Sequence, residues 1–342
     1  MSNSRFKKYF FNNGKVARNR LVIPPMASQT ANQDGFVTNT TLEHYMRLSE
    51  AGAGIVFVEY SFVHQTGKGE PKQLGVNLDS QIEGLSKVAD IIHKAGSLAG
   101  LQLVHVGSKT TQELTGFPLM GPSSIPVPVK GWQPETPLAM TEQQIEDWIV
   151  WFIAASKRVA HAGFDFVELH AAHGYGLNQW LSPLTNQRTD IFGGGMEGRS
   201  RLLMQVVERI KIETPELLVA VRVPAQDHFP GGLEIEEMIW TIRQLEQKGV
   251  DLIDVSSGIG GWRRPGHRNG QGYLVPDAAS FKSHLVTPVI GVGGIETGEF
   301  IDQIINEKKV DFAAVGRAIL ADPKGWSQKY FHQAGYDAEL AM

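Results

Sequence analysis

Eight short apolar runs, spaced along the whole chain, restrict the fold more than any other feature of the sequence. They are RLVIPP (20–25), GIVFVEY (54–60), LAGLQLVHV (98–106), FDFVELH (164–170), LLVAVRV (217–223), VDLIDVSS (250–257), TPVIGVGG (287–294) and VDFAAVG (310–316). Each is followed by glycine or polar residues and then by a stretch of helical period. The runs are nearly continuous in apolar character and do not alternate, which is the pattern of parallel strands covered on both faces. Of the intervening stretches, TEQQIEDWIVWFIAASKRVAHAG (141–163) is the clearest helix. Thr141 and Gln144 make a capping box; Ile145, Trp148, Ile149, Phe152, Ser156 and Val159 recur every three or four residues; Gly163 is the stop. Eight βα units in 342 residues match a (β/α)8 TIM barrel, an α/β fold. No linker-like tract divides the chain, so residues 1–342 read as a single domain.

The stretch from Thr110 to Met140 breaks the rhythm. It is rich in proline and glycine, follows the third run and is too long for an ordinary connection. It reads as an insertion capping the barrel mouth, with a mobile surface loop as the alternative.

Charge and composition remove several classes of function. Lys and Arg total 32 against 36 Asp and Glu, a formal net charge of −4, with no long run of one sign to neutralise a phosphate backbone. Nucleic acid is therefore not expected as a partner. The N-terminus MSNSRFKKYFFNNGKV lacks the apolar core of a signal peptide, and no stretch approaches the ~18–20 apolar residues of a membrane span. The expectation is a cytoplasmic protein with no membrane partner. With no cysteine there is no disulfide, no cluster on Cys ligands, no zinc–thiolate site and no thiol nucleophile.

A barrel of this kind places its chemistry at the carboxyl ends of the strands. There the sequence offers Glu59, Gln102, His105, His170, His173, Arg222, Ser256, Ser257, Gly316 and Arg317. Any one of these reads equally well as a satisfied polar residue at the rim; the set is harder to explain that way. Two late segments add a sharper signal. GVGGIETGEF (291–300) and AAVGRAILADP (313–323) each put glycine between a strand and a helix, the second with an arginine beside it. Backbone N–H groups exposed by glycine and a helix N-terminus favour an anion, so these segments suggest a phosphate site.

The segment HAAHGY (170–175) poses the central question: metal or oxygen. A metal needs a third protein ligand, and Glu168 shares a strand face with His170. Arg222, at the end of the next run, would repel a cation. Residue chemistry thus ranks donation of hydrogen bonds to an oxygen above metal binding, with metal and plain core histidines left open.

At this point HAAHGYGLNQWLSPLTNQRTDIFGGGMEGRSRLL (170–203) resembles the Old Yellow Enzyme family of flavin oxidoreductases. The likeness continues through RNRLVIPPM (18–26), LEHYMRLSEAGAGIVFVEYSFV (42–63), LQLVHVG (101–107), VDLIDVSSG (250–258) and VGRAILADP (315–323). It covers nearly the whole chain and is similar to the shorter bacterial subgroup of NADH-dependent flavin oxidoreductases and ene-reductases. The resemblance implies a single FMN-binding domain, with FMN across the barrel mouth. Pro25, Met26 and Ala27 would lie against the isoalloxazine, Gln102 on its pyrimidine edge and Arg222 near N1 and C2=O. Gly293, Gly294, Gly316 and Arg317 would hold the phosphate. His170 and His173 would hydrogen-bond the substrate oxygen, and Tyr175 would donate a proton. It further implies NADH or NADPH as a transient hydride donor, and a small electrophile, such as an activated alkene or quinone, as acceptor.

Some positions depart from the family. Ala27 stands where Thr or Cys is usual, Gln29 where the subgroup commonly has Tyr, Tyr60 where a small residue is usual, Ser108 in place of Arg and Gly198 in place of Asn. The tail GYDAELAM has no arginine of the kind that completes a neighbour's site, so a shared-site dimer is not implied, while a homo-oligomer stays open. The alternatives are a dihydroorotate-type FMN dehydrogenase, a tRNA dihydrouridine synthase, a dienoyl-CoA reductase, a metal-dependent barrel lyase using His170 and His173, and a flavin binder without turnover. Absent cysteine and the negative charge weigh against the tRNA enzyme, and absent cysteine and the chain's length against the clustered reductase.

Overall fold

A computed structural model of the chain describes residues 3–129, 131, 134–260 and 270–330. The eight apolar runs become β1 (Leu21–Ile23), β2 (Ile55–Phe62), β3 (Leu98–Val104), β4 (Phe166–His170), β5 (Leu218–Pro224), β6 (Leu252–Ser256), β7 (Val289–Gly291) and β8 (Phe312–Ala314). They form a closed parallel barrel in chain order, sealed where Ala313 and Ala314 of β8 pair with Leu21 and Val22 of β1. The expected fold class is the observed one. Around it lie α1 (Asn39–Ser49), α2 (Ile82–Lys94), α3 (Glu142–His161), α4 (Met196–Glu213), α5 (Ile235–Gln247), α6 (Val275–Lys282), α7 (Gly298–Asn306) and α8 (Pro323–Tyr330).

The third helix starts as its sequence indicates. The Gln144 N–H donates to Thr141 Oγ1 and the Thr141 N–H to Gln144 Oε1, and the periodic residues from Ile145 to Val159 are buried. No helix among the described residues is long and apolar enough to cross a membrane.

Strand alternation divides the core in two. Outward residues such as Val56, Val58, Val167, Leu169, Val219 and Ile253 pack with the helices. Inward residues near the strand starts, among them Ile55, Phe57, Phe166, Leu218 and Phe312, fill the barrel's lower half. An N-terminal hairpin, Tyr9–Phe10 against Val16–Ala17, closes that end and inserts Phe11, whose ring meets Phe166 edge-on at 5.2 Å. A buried ring of this kind is worth about 3–5 kcal/mol against truncation to alanine. With the bottom plugged, open space is left at the carboxyl ends.

The insertion after β3 holds one helical turn, Gln112–Thr115, and a two-residue pairing of Met120–Gly121 with Leu138–Ala139. Arg188 pins it by donating to the carbonyls of Pro122 and Met140 at 3.0 and 2.7 Å. The insertion sits at the mouth end, with Val127 next to Gly174, and flanks the opening beside β4.

Candidate active site

The carboxyl ends of the strands enclose a cavity of about 1240 Å³. Each residue singled out from the sequence as a contact for cofactor or substrate lines it. The loop after β1 contributes Pro25, Met26 and Ala27; β3 contributes Gln102; β4 and its loop contribute His170, His173 and Tyr175. Arg222 enters from β5, Gly293 and Gly294 from the loop after β7, and Gly316 with Arg317 from the loop after β8. One end of the cavity is thus rich in hydrogen-bonding side chains and the other in glycine and cationic groups. Gly293 and Gly294 have φ of +120° and +64°, and a Cβ on Gly293 would lie 2.8 Å from the Leu274 nitrogen. Only glycine fits this turn.

HAAHGY is held in an unusual backbone shape. His173 has φ +61°, a left-handed conformation costly for a residue with a Cβ, and Gly174 follows at +72°. Four contacts impose it. The His173 N–H donates to the Ser257 carbonyl at 2.9 Å and the Gly174 N–H to Asn178 Oδ1 at 2.7 Å. Lys109 Nζ donates to the His173 carbonyl at 2.6 Å, and His173 Nε2 lies 2.6 Å from Ser256 Oγ. The strain places the His170 and His173 rings 4.9 Å apart and nearly perpendicular, with the Tyr175 ring 4.9 Å from His170.

Electrostatics keeps all three side chains neutral. Burial lowers both imidazoles well below the usual histidine range; Arg222 and Lys109 push the same way on each, and His173 does so on His170. Burial, and then the charge of Glu70, raises the Tyr175 phenol. The Ala172 N–H donates to His170 Nδ1 at 3.3 Å, which leaves the ring proton on Nε2. The site therefore offers neutral N–H and O–H donors around one point. Among the described residues no group of three His, Asp or Glu is arranged to hold a metal.

A polar layer lies just beneath. Gln102 Nε2 donates to Glu168 Oε2 at 2.8 Å, and Arg222 Nε stands 3.0 Å from Asp254 Oδ2. Asp254 went unremarked in the sequence, although a charge inside the apolar run VDLIDVSS was the available signal.

Three sequence candidates, Glu59, His105 and Ser257, fall outside the cavity, and Ser257 serves through its carbonyl, which accepts from the His173 N–H. Glu59 accepts from the Ser28 N–H at 3.0 Å and from the Ser28 hydroxyl, so it anchors the loop that carries Ala27. His105 hydrogen-bonds Thr66 Oγ1 at 2.9 Å and packs against the Trp148 ring, centroids 3.9 Å apart and planes tilted by 30°. Its odd spacing from Gln102 put it on the other strand face, a signal present in the sequence. Conversely, Tyr60, noted only as a departure, enters the cavity and stacks on Tyr175 at 5.6 Å. Glu70, Tyr273, Trp326 and Lys329 also line it without having been foreseen. The tail GYDAELAM lies outside the described residues.

Comparison with known proteins gives a consistent pattern. The family model described as the NADH:flavin oxidoreductase / NADH oxidase family matches residues 10–334. An NADPH dehydrogenase of Bacillus cytotoxicus is 39% identical over 308 residues, covering 90% of this chain and 86% of that one. An NADH oxidase of Thermoanaerobacter brockii is 36% identical over 321 residues, 92% of this chain; the chain spans about half, 48%, of that longer protein. The solved structure of the old yellow enzyme homologue from Zymomonas mobilis superimposes with a TM-score of 0.83 at 24% identity, covering 97% of this chain and 93% of that one. At that identity the likeness bears on the fold.

Proposed function

The chain belongs to the NADH:flavin oxidoreductase / NADH oxidase family, whose cofactor is FMN, and on that premise we propose that it takes hydride from NADH or NADPH and delivers it to a small electrophile. We assign the acceptor to activated alkenes, quinones and related compounds, with residues 1–342 acting as one cofactor-binding domain. One observation carries the reading: three neutral donors, His170, His173 and Tyr175, face the same cavity as Gln102 and Arg222.

The cavity fits the cofactor. Its volume of about 1240 Å³ exceeds the ~300–1,000 Å³ of a single small-molecule site, which leaves room for a flavin and a second molecule. Pro24, Pro25, Met26, Val292 and Ala314 give an apolar surface for a flat ring. Gln102 and Arg222 suit its pyrimidine edge, and Gly293, Gly294, Gly316 and Arg317 suit a phosphate. When bound, FMN supplies two-electron hydride chemistry at its N5.

The protein's own part is binding, orientation and one proton. His170 Nε2–H and the His173 ring donate to the carbonyl or nitro oxygen of the acceptor and stabilise the negative charge that develops there. Tyr175 Oη–H gives its proton to the α-carbon, and its raised pKa keeps that proton in place at neutral pH. Tyr60 narrows the space beside Tyr175 and favours slender acceptors.

The test is an anaerobic titration of the nicotinamide-reduced protein with a panel of enones, nitroalkenes and quinones, with the heat-released cofactor identified by chromatography. Stoichiometric reoxidation by panel members and release of FMN support the reading. Release of FAD, or a reduced flavin inert to the whole panel, overturns it.

A further inference from the structure

Beneath the cavity two carboxyl groups meet with too few protons between them. Glu168 and Asp254 are 0% and 1% exposed, and Arg222 is the charged side chain that faces both. Each carboxyl has one oxygen with a neighbour: Glu168 Oε2 accepts from Gln102, and Asp254 Oδ2 forms an ion pair with Arg222. The other two, Glu168 Oε1 and Asp254 Oδ1, are buried without any donor. Glu168 is in register with Ala220 of β5, whose small side chain leaves room for Glu168 and Asp254 to interact across that strand. Two ionised carboxylates are acceptors only, so neither can satisfy the other; with one proton added they become a donor and an acceptor.

We infer that Glu168 and Asp254 share a single proton, resident on Glu168, and that this neutral acid is a positioning residue for Gln102 and Arg222. Asp254 stays ionised because Arg222 stands beside it. Burial raises both carboxyls, most strongly Glu168, which also feels the charge of Asp254, while Arg222 opposes the rise in each. The groups facing the pair are Arg222 from β5 and Gln102 from β3, with the neutral imidazole of His170 two residues along β4.

The proton fixes a direction. Glu168 donates to Asp254 through Oε1 and accepts the Gln102 N–H through Oε2, so the Gln102 carbonyl oxygen is left for the cavity as an acceptor. Next to it Arg222 is a donor. Acceptor beside donor complements an edge that presents N–H next to C=O, as the flavin pyrimidine ring does; this part rests on the flavin reading above. The shared proton also holds the layer at zero net charge, since one arginine balances one carboxylate.

Infrared difference spectroscopy on the flavin-free protein tests the proton directly. A buried protonated carboxyl band should persist at pH 8, shift in D2O and vanish in Glu168→Gln. No such band at pH 8 overturns the inference, whether or not the protein binds flavin. The positioning role is tested by FMN affinity. Glu168→Gln reproduces the neutral acid, accepting from Gln102 and donating to Asp254, and should bind FMN within about threefold of the wild type. Glu168→Met frees Gln102 and should bind more than about tenfold more weakly, with the same thermal transition checked for both. Equal affinity of the Gln and Met variants overturns the positioning role.

Discussion

His173 Nε2 lies 2.6 Å from Ser256 Oγ, a contact that joins the strained loop after β4 to the end of β6. With the Ser256 hydroxyl as the donor to Nε2, the ring proton sits on Nδ1 and the imidazole keeps an N–H to offer a ligand oxygen. Ser256→Ala should weaken binding of phenol-type ligands about fivefold, the equivalent of a hydrogen bond of ~1 kcal/mol, and leave reduction by the nicotinamide unchanged. An absorbance titration decides it, and unchanged affinity removes the serine from the site.

Tyr175→Phe separates the two half-reactions. Under the proposed function, reduction by NADH or NADPH needs no proton from the phenol, whereas delivery to the alkene does. Stopped-flow should show the first step intact and the second slowed by ~10²–10⁴-fold. An unchanged second step would remove the proton-donor role.

Lys109 is a titrating group close to the donors. Burial pushes its ammonium down to about 8, and it donates to the His173 carbonyl while its charge faces the Tyr175 ring at 4.9 Å. Above that pH its charge is lost, and with it a contribution to stabilising the negative charge that would develop on the acceptor oxygen. The alkene step should slow as pH rises through about 8, and in Lys109→Met this break should disappear. A break that persists in the variant assigns it elsewhere.

Ala27 lines the cavity, at the position where the resemblance implies a hydroxyl or thiol donor. Ala27→Thr should supply a hydrogen bond to the flavin O4 that strengthens as electron density enters the ring. A net ~1 kcal/mol corresponds to roughly 20 mV for a two-electron couple. The variant should therefore have a potential higher by about that amount, measured by dye equilibration; a fall or no change defeats the argument.

At the opposite end of the barrel, Asp165 binds His93 Nε2 at 2.7 Å, Lys15 Nζ at 2.6 Å and the Ala99 N–H at 2.8 Å. Burial pushes the Asp165 carboxyl up, but these hydrogen bonds outweigh it and the net direction is down. Its contribution is thus present above the unfolded value of ~3.9 and lost as pH falls through the lower folded value. His93 is raised, chiefly by its hydrogen bond with Asp165, so its contribution is complete below ~6.5 and lost as pH rises through the folded value. Asp165→Asn should destabilise the protein by about 2 kcal/mol at pH 6 and by less at pH 8. Chemical denaturation at both pH values checks this, and an equal loss would show that His93 adds nothing.

Local chemistry alone determined a great deal here. The eight strands were legible because parallel strands buried on both faces must be apolar throughout, and the start of α3 because a capping box satisfies its own N–H groups. That the HAAHGY side chains and the late glycines line the cavity was legible because they follow the ends of barrel strands. Which side chains actually enter the cavity was decided by barrel closure. On β2 the register slips between Val58 and Ser61, so Glu59 faces Ser28 and Tyr45 while Tyr60 enters the mouth. Likewise, Glu168 and Asp254 are 86 positions apart along the chain; their meeting across Ala220 follows from the tilt and register of three strands, and no local pattern encodes a distance between strands.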